Sequence, residues 1–197
     1  MTLALAALLL VNGEGLLWRA QEETGVPIVP YTGLEGGIAY ARFPDEWGLA
    51  DASDSGWCAS VVLGGAALDN GPEIMLRFTY RHWDELEVDE ANERPLAEPV
   101  EARVQGALVD AAFDMAVGPL RVGLLAGGGL YLLKHRFDRE VAPTGELGVY
   151  VRFKPVAWLY VEGGLMTGII RGDFNGDNTY TVIFTTAHAV AGVEFRF

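Results

Sequence analysis

The stretch Glu73–Val88, EIMLRFTYRHWDELEV, alternates between two sets of residues along its whole length. One set contains most of the charge: Glu73, Met75, Arg77, Thr79, Arg81, Trp83, Glu85 and Glu87. The other set is largely apolar: Ile74, Leu76, Phe78, Tyr80, His82, Asp84, Leu86 and Val88. Successive side chains of a β-strand point to opposite faces, so this period of two predicts a strand with one apolar and one charged face.

The same period continues on both sides of this stretch. Eight segments are predicted as strands, at residues 31–43, 55–68, 73–88, 100–117, 120–137, 145–154, 156–171 and 181–197. The fourth segment changes phase, because Glu101, Arg103 and Gln105 share one set whereas Asp110 and Asp114 fall in the other. A β-bulge near Ala107 is predicted to reconcile them.

The connections between these strands alternate in length. Three are tight turns, "DNGP", "VGP" and "KP", and four are longer and polar, "PDEWGLADASD", "DEANERPLAEP", "DREVAPT" and "GDFNGDNTY". An even number of strands with short turns at one end and long loops at the other is typical of outer-membrane barrels. The sequence therefore predicts an all-β fold, an eight-stranded antiparallel up-and-down transmembrane β-barrel with short periplasmic turns and longer extracellular loops.

A soluble lipid-binding barrel shares this alternation but points its apolar face inward. Leucine, valine and phenylalanine dominate the apolar face here, and the charged face mixes arginine with carboxylates. This composition favours hydrocarbon outside and ion pairs inside. The predicted lumen charge network, with either a structural or a gating role, contains Glu35, Glu73, Arg77, Arg81, Asp110, Asp114, Arg121, Glu146, Arg152, Glu162, Glu194 and Arg196.

The chain divides into three parts. Residues 1–15 contain a short apolar run from Leu3 to Val11 that suits a secretory signal peptide, although no basic residue precedes it. A short apolar segment that is retained is the alternative. Residues 16–30 are interpreted as a linker and residues 31–197 as the barrel.

Bulk composition excludes several classes of protein. The formal charge of −13 argues against binding to nucleic acid, which needs basic patches. No apolar run is long enough for a membrane-spanning helix. The single cysteine, Cys58, cannot form an internal disulfide or a structural zinc site. We expect no cofactor.

The last strand keeps its alternation to the end of the chain. In "GVEFRF", Val193, Phe195 and Phe197 share the apolar face. This ending resembles the C-terminal signature by which the assembly machinery recognises bacterial outer-membrane proteins, and the layout of 31–197 resembles the small eight-stranded OmpA/OmpX-type barrels. The resemblance implies a location in the outer membrane of a Gram-negative-type cell. We expect a monomer whose partners are outer-membrane lipid, including lipopolysaccharide, and that machinery.

Function is less determined than fold. The main hypothesis is a structural, surface-presenting barrel with acidic loops, whose charged lumen is either plugged or a narrow gated pore. A lipid A-modifying acyltransferase or deacylase is the alternative, with Ser53 or Ser55, His82 and Asp84 near the outer rim. No metal site is predicted: Asp173, Asn175 and Asp177 resemble the start of a calcium loop, but the distal glutamate is absent.

Overall fold

Eight strands form the described part of the chain in a computed structural model, which covers residues 28–43, 50–67, 71–89, 102–134, 139–172 and 180–197. The strands are β1 (Ile28–Phe43), β2 (Ala50–Ala67), β3 (Glu73–Asp89), β4 (Ala102–Val117), β5 (Leu120–Lys134), β6 (Arg139–Val156), β7 (Leu159–Gly172) and β8 (Tyr180–Arg196). Within these residues no helix is long and apolar enough to cross a membrane.

The strands close into a barrel in sequence order, and each pairs with its neighbours in antiparallel fashion. The closing pair is β1 with β8, in a register that places Tyr31 opposite Arg196. The amide of Phe197 donates a hydrogen bond to the carbonyl oxygen of Pro30 at 3.2 Å. Because β8 pairs with β1, the ring of described strands is closed and leaves no strand edge unpaired. The predicted all-β fold, an eight-stranded antiparallel up-and-down barrel, is confirmed.

The two faces of the barrel differ as the alternation predicts. Leu76 and Val149 are 40% and 51% exposed on the outside, whereas Arg77 and Arg152 are 3% and 0% exposed inside. Tyr40, Trp57, Phe153 and Phe195 are also exposed on the exterior. This is the opposite of a soluble ligand-binding barrel, so the alternative of a soluble lipid carrier is wrong for this fold.

Several strand ends and two connections differ from their predicted positions. Strand β2 begins at Ala50 and not at residue 55, so the last part of the predicted loop before it belongs to the barrel. Strand β1 begins at Ile28, so the last three residues of the predicted linker belong to the barrel. Strand β6 begins at Arg139, which places most of the predicted loop "DREVAPT" in a strand: Val141 points outward and Ala142 inward. The predicted turn "KP" lies within β6, where the register shifts after Phe153, and the chain turns instead at residues 157–158. Pro143 and Pro155, which both lie within β6, were misread as residues of connections.

The bulge predicted near Ala107 is wrong. Strand β4 pairs without interruption with β5 from Arg103 to Val117, and its register with β3 is regular through this region. Gln105 points outward, where its amide lies 3.2 Å from Nδ1 of His82, and Asp110 points inward. The phase change is therefore only apparent, because a polar residue near the end of a strand can remain on the outer face.

Tyrosine rings inside the barrel lie against glycines of the adjacent strand. The rings of Tyr31, Tyr131, Tyr150 and Tyr160 cover Gly64, Gly106, Gly123 and Gly192, respectively, and a Cβ atom on any of these glycines would collide with the ring. Glycine lacks a side chain to pack within a strand, and here the ring of the neighbouring strand fills that space. The narrow lumen thus accommodates large side chains because small ones lie next to them.

We expect Gly123→Ala to destabilise the barrel by about 1–3 kcal/mol, because the new Cβ overpacks the site against the Tyr150 ring. Gly145→Ala is the matched control, since a Cβ there meets only an ordinary contact at 3.9 Å. Urea unfolding of the refolded protein in lipid vesicles, followed by tryptophan fluorescence, measures the difference. Equal stability of the two variants would show that the ring does not require the glycine.

Candidate functional site: the charged lumen

The structure places the twelve predicted lumen residues on the inner face of the barrel. Eleven of them are buried. Arg196 is the exception: its side chain is 39% exposed at the end of the barrel that contains the short turns and the last strand, hereafter the turn end. The opposite end, from which the longer connections leave, is the loop end. Neither a structural nor a gating role follows from this placement alone.

Glu162 on β7 is the centre of the middle layer. Nη1 and Nη2 of Arg77 donate to its two oxygens at 2.5 and 2.6 Å, and Nη2 of Arg152 lies 2.8 Å from Oε2. Nε2 of His188 lies 3.2 Å from Oε1. Because β3, β6, β7 and β8 supply these four side chains, one carboxylate joins half of the barrel wall. A bidentate Arg–carboxylate pair fixes both distance and orientation.

A second ion pair lies nearer the loop end. Nη1 of Arg81 lies 2.7 Å from Oε2 of Glu146, and the Tyr131 hydroxyl donates to Oε1 of the same carboxylate at 2.8 Å. The same Arg81 nitrogen donates to the Tyr131 oxygen at 3.1 Å. Each polar group of this triad has a partner, as burial of charge demands.

The remaining ion pairs form a cluster at the turn end. Nε of Arg121 donates to Asp114 at 2.6 Å, and Nζ of Lys154 lies 2.9 Å from Glu73 and 2.8 Å from Glu194. Further cations surround Glu73 at longer distances, with Arg121 and Arg152 at 3.6 Å and Arg196 at 3.7 Å.

Several members of the network are absent from the predicted set. Lys154 is one, although it has the same phase as Arg152. His188, which contacts Glu162, is another. The set also omits tyrosines whose hydroxyls donate to carboxylates: Tyr150 to Asp114 at 2.9 Å and Tyr160 to Glu35 at 2.8 Å. The guanidinium of Arg152 also lies over the Tyr160 ring at 4.3 Å. These residues occupy the same alternating positions as the charged side chains of their strands, and this phase could have identified them. A search for charged residues alone does not detect tyrosine.

Glu35 and Asp110 differ from the other lumen carboxylates. Among the described residues, neither forms an ion pair within 4 Å, and Asp110 accepts only a long hydrogen bond of 3.5 Å from Thr79. Both line a small cavity of about 20 Å³ together with Arg77 and His188. Asp110 Oδ1, Arg77 Nε and His188 Nδ1 have no hydrogen-bond partner in the protein. A polar cavity of this volume suits one bound water molecule.

The loop end of the lumen is closed by an apolar layer, hereafter the aromatic plug. Trp83, Tyr131 and Phe184 are at most 1% exposed. The Trp83 and Tyr131 rings are tilted with centroids 6.0 Å apart, and the Tyr131 and Phe184 rings meet edge to face with centroids 5.7 Å apart. Small side chains such as Ala39 and Ala142 fill the remaining space. The Trp83 indole N–H donates to the carbonyl oxygen of Ala39 at 3.0 Å, which satisfies its only polar group.

The other sequence candidates contribute less. His82 lies on the outer face with its ring 5.6 Å from that of Trp57 and 6.3 Å from that of Tyr80. The side chains of Ser53 and Asp84, and residues 173–179 with the calcium-like stretch, lie outside the described residues. In the described part of the chain, no group of three His, Cys, Asp or Glu side chains is arranged to hold a metal. Cys58 is buried and unpaired.

We expect Glu162→Gln to destabilise the barrel by about 3–5 kcal/mol, because it leaves Arg77 and Arg152 buried without their main counter-charge. Glu35→Gln is the matched control. It should cost no more than about 1 kcal/mol, since the amide oxygen still accepts from Tyr160. Urea unfolding in vesicles compares the two, and equal losses would refute the central position of Glu162.

Comparison with known proteins agrees with this architecture. No family model and no curated protein matches the sequence. The fold is similar to that of Neisserial surface protein A, with a TM-score of 0.55, 14% identity, and coverage of 84% of this chain and 97% of that one. It is also similar to Ail, the attachment invasion locus protein of Yersinia pestis, with a TM-score of 0.51, 13% identity, and coverage of 84% and 99%. This chain therefore has the fold of the small eight-stranded outer-membrane β-barrels.

Proposed function

We propose that this protein is a bacterial outer-membrane barrel that does not conduct solutes and that holds its connecting loops at the cell surface. The observation that carries the proposal is the combination of an apolar exterior with a lumen filled by side chains from the aromatic plug to the ion pairs around Glu162. A barrel of eight strands leaves an interior just wide enough for side chains. The proposed barrel is therefore a rigid platform that is anchored in the membrane.

The contacts of the lumen favour a plug over a gated pore. A solute entering from the loop end would have to displace Trp83 and Tyr131, which are fully buried. Beneath them it would have to separate Arg81 from Glu146 and Arg77 from Glu162. Removing one partner of a buried pair costs about 3–5 kcal/mol, and several pairs lie in series. Thermal opening of the whole path is correspondingly rare.

The charge that remains outside the lumen is concentrated in two segments at the loop end. The lumen residues that the structure describes include seven carboxylates and six guanidinium or ammonium groups, so the formal charge of this part of the lumen is close to zero. The segments 44–54 and 84–101 contain twelve acidic residues and one basic residue, Arg94. They leave from β1–β4, which are adjacent. The displayed surface is therefore acidic, and a partner for it carries positive charge.

The acidity of these segments distinguishes this chain from one of its structural neighbours in the charge of the ligand that it favours. Ail is described in complex with a heparin analogue, sucrose octasulfate, which is an anion. Like charges disfavour such a ligand at the segments described above. A surface or attachment role can be shared while the ligand class differs.

Lipid contact is the other part of the proposed role. Arg42, Arg103 and Arg171 are exposed on the outer face near the loop end of β1, β4 and β7. Guanidinium groups at this level suit the phosphates of outer-leaflet lipid. His82 beside Trp57 and Tyr80 fits the same interfacial belt, and these contacts favour that position for it over a catalytic one.

A planar-bilayer recording tests the closed lumen. We expect no discrete conductance steps from the refolded protein, with folding verified by heat-modifiable gel migration. Trp57→Ala, on the exterior, should be equally silent. Regular unitary steps from the folded wild-type protein would support the gated pore and overturn the plugged lumen.

Single-cysteine labelling tests the orientation. Native Cys58 is buried in the lumen, which keeps the background low. We expect a membrane-impermeant maleimide to label Asn92→Cys in intact cells and Ala157→Cys, at the β6–β7 turn, only after permeabilisation. The reverse pattern would show that the acidic segments face the periplasm.

A further inference from the structure

An open cavity of about 550 Å³ lies at the turn end, outside the plugged part of the lumen. Its charged lining consists of Glu73, Arg121, Lys154 and Arg196, and residues such as Val29 and Val156 supply an apolar rim. We name this cavity the turn-end cup. None of the roles discussed above uses it.

Charge within the cup is layered. The side chains of Glu73, Glu194 and Asp114 are 2%, 1% and 0% exposed, respectively. The cations that contact them are nearer the opening, with Arg121 9%, Lys154 14% and Arg196 39% exposed. A ligand that enters from the turn end therefore meets N–H groups first, and the carboxylates lie behind them.

The lining of the cup has an excess of positive charge. It contains three cations, Arg121, Lys154 and Arg196, and one carboxylate, Glu73, while Asp114 and Glu194 lie behind it. This excess occurs in a chain whose formal charge is −13. A concave site with low-dielectric walls concentrates the field of its charges, so the cup attracts anions.

Donor capacity remains at the opening after the internal contacts are made. The contacts of Arg196 are long, 3.7 Å to Glu73 and 3.5 Å to Glu194. Arg121 uses Nε for Asp114 and Nη2 for the carbonyl oxygen of Gly71, and none of the contacts described for this residue uses Nη1. Lys154 already donates to Glu73 and Glu194, so it brings positive charge to the opening, and its flexible stem lets it exchange one of these contacts for a ligand oxygen.

We propose that the turn-end cup binds a phosphate group, with Arg196, Lys154 and Arg121 as its donors. Three cations from β8, β6 and β5 line the cup, and this number of donors suits the three terminal oxygens of a phosphate group better than the two oxygens of a carboxylate. The phosphate has two sources, a small soluble phosphate or the headgroup of a phospholipid at the rim of the barrel. This site does not depend on whether the loops bind a partner.

The test is a titration of the full refolded chain in a phosphate-free maltoside detergent. One arm adds inorganic phosphate and follows binding by calorimetry. The other adds phosphatidylglycerol in mixed micelles and follows bound lipid by native mass spectrometry. We expect saturable binding in at least one arm, and the arm that responds identifies the source. Absence of binding in both arms overturns the proposal.

Variants locate the binding. Arg196→Gln is chosen first because its side chain is the most exposed and its loss disturbs buried pairs least. We expect it to weaken binding about tenfold or more, as the loss of a charge-assisted contact implies. Lys154→Gln should do the same, whereas Arg171→Gln, at the loop end, should leave affinity unchanged. Equal effects of Arg196→Gln and Arg171→Gln in folded protein would contradict the assignment.

Discussion

A charged group inside a closed eight-stranded barrel cannot exchange its protein partners for bulk water, and this constraint governs the lumen. Glu162 satisfies this constraint most completely, because it contacts Arg77, Arg152 and His188. An unpaired charge at such a position is costly, so each guanidinium must be matched by a carboxylate from another strand. The result is a nearly neutral interior in a strongly acidic chain.

The same constraint explains the shape of the inner side chains. Tyrosine is long enough to cross the lumen and ends in a donor, so Tyr131, Tyr150 and Tyr160 fill space and donate to carboxylates at the same time. Each ring needs a glycine on the adjacent strand to lie flat against the wall. Nearer the loop end, Trp83 and Phe184 fill the lumen with apolar contacts instead. The packed layers between the aromatic plug and Glu162 make this part of the barrel rigid.

Sequence patterns predicted the strands well and their ends less well. All eight strands exist, and the inward phase of Glu73, Arg77 and Arg81 was correct because a strand repeats every two residues whatever surrounds it. The errors occur at positions where the same residue type is compatible with two different structural locations. Gln105 is polar but faces outward, and Pro155 belongs to a strand with a register shift and not to a turn. Of the network, Lys154 and the tyrosines were missed since their role depends on partners on other strands.

The sequence by itself determined the period, the strand number and the phase of the strands other than β4, because these depend only on which residues alternate along the chain. The tertiary structure decided which charges meet. Arg77 pairs with Glu162, across the barrel from β3 to β7, and Arg81 with Glu146, from β3 to β6. Such pairings follow from barrel closure and register, which set the distance between residues far apart in the chain. Barrel closure and register also determine that aromatic side chains plug one end of the lumen and that cationic side chains line a cup at the other end.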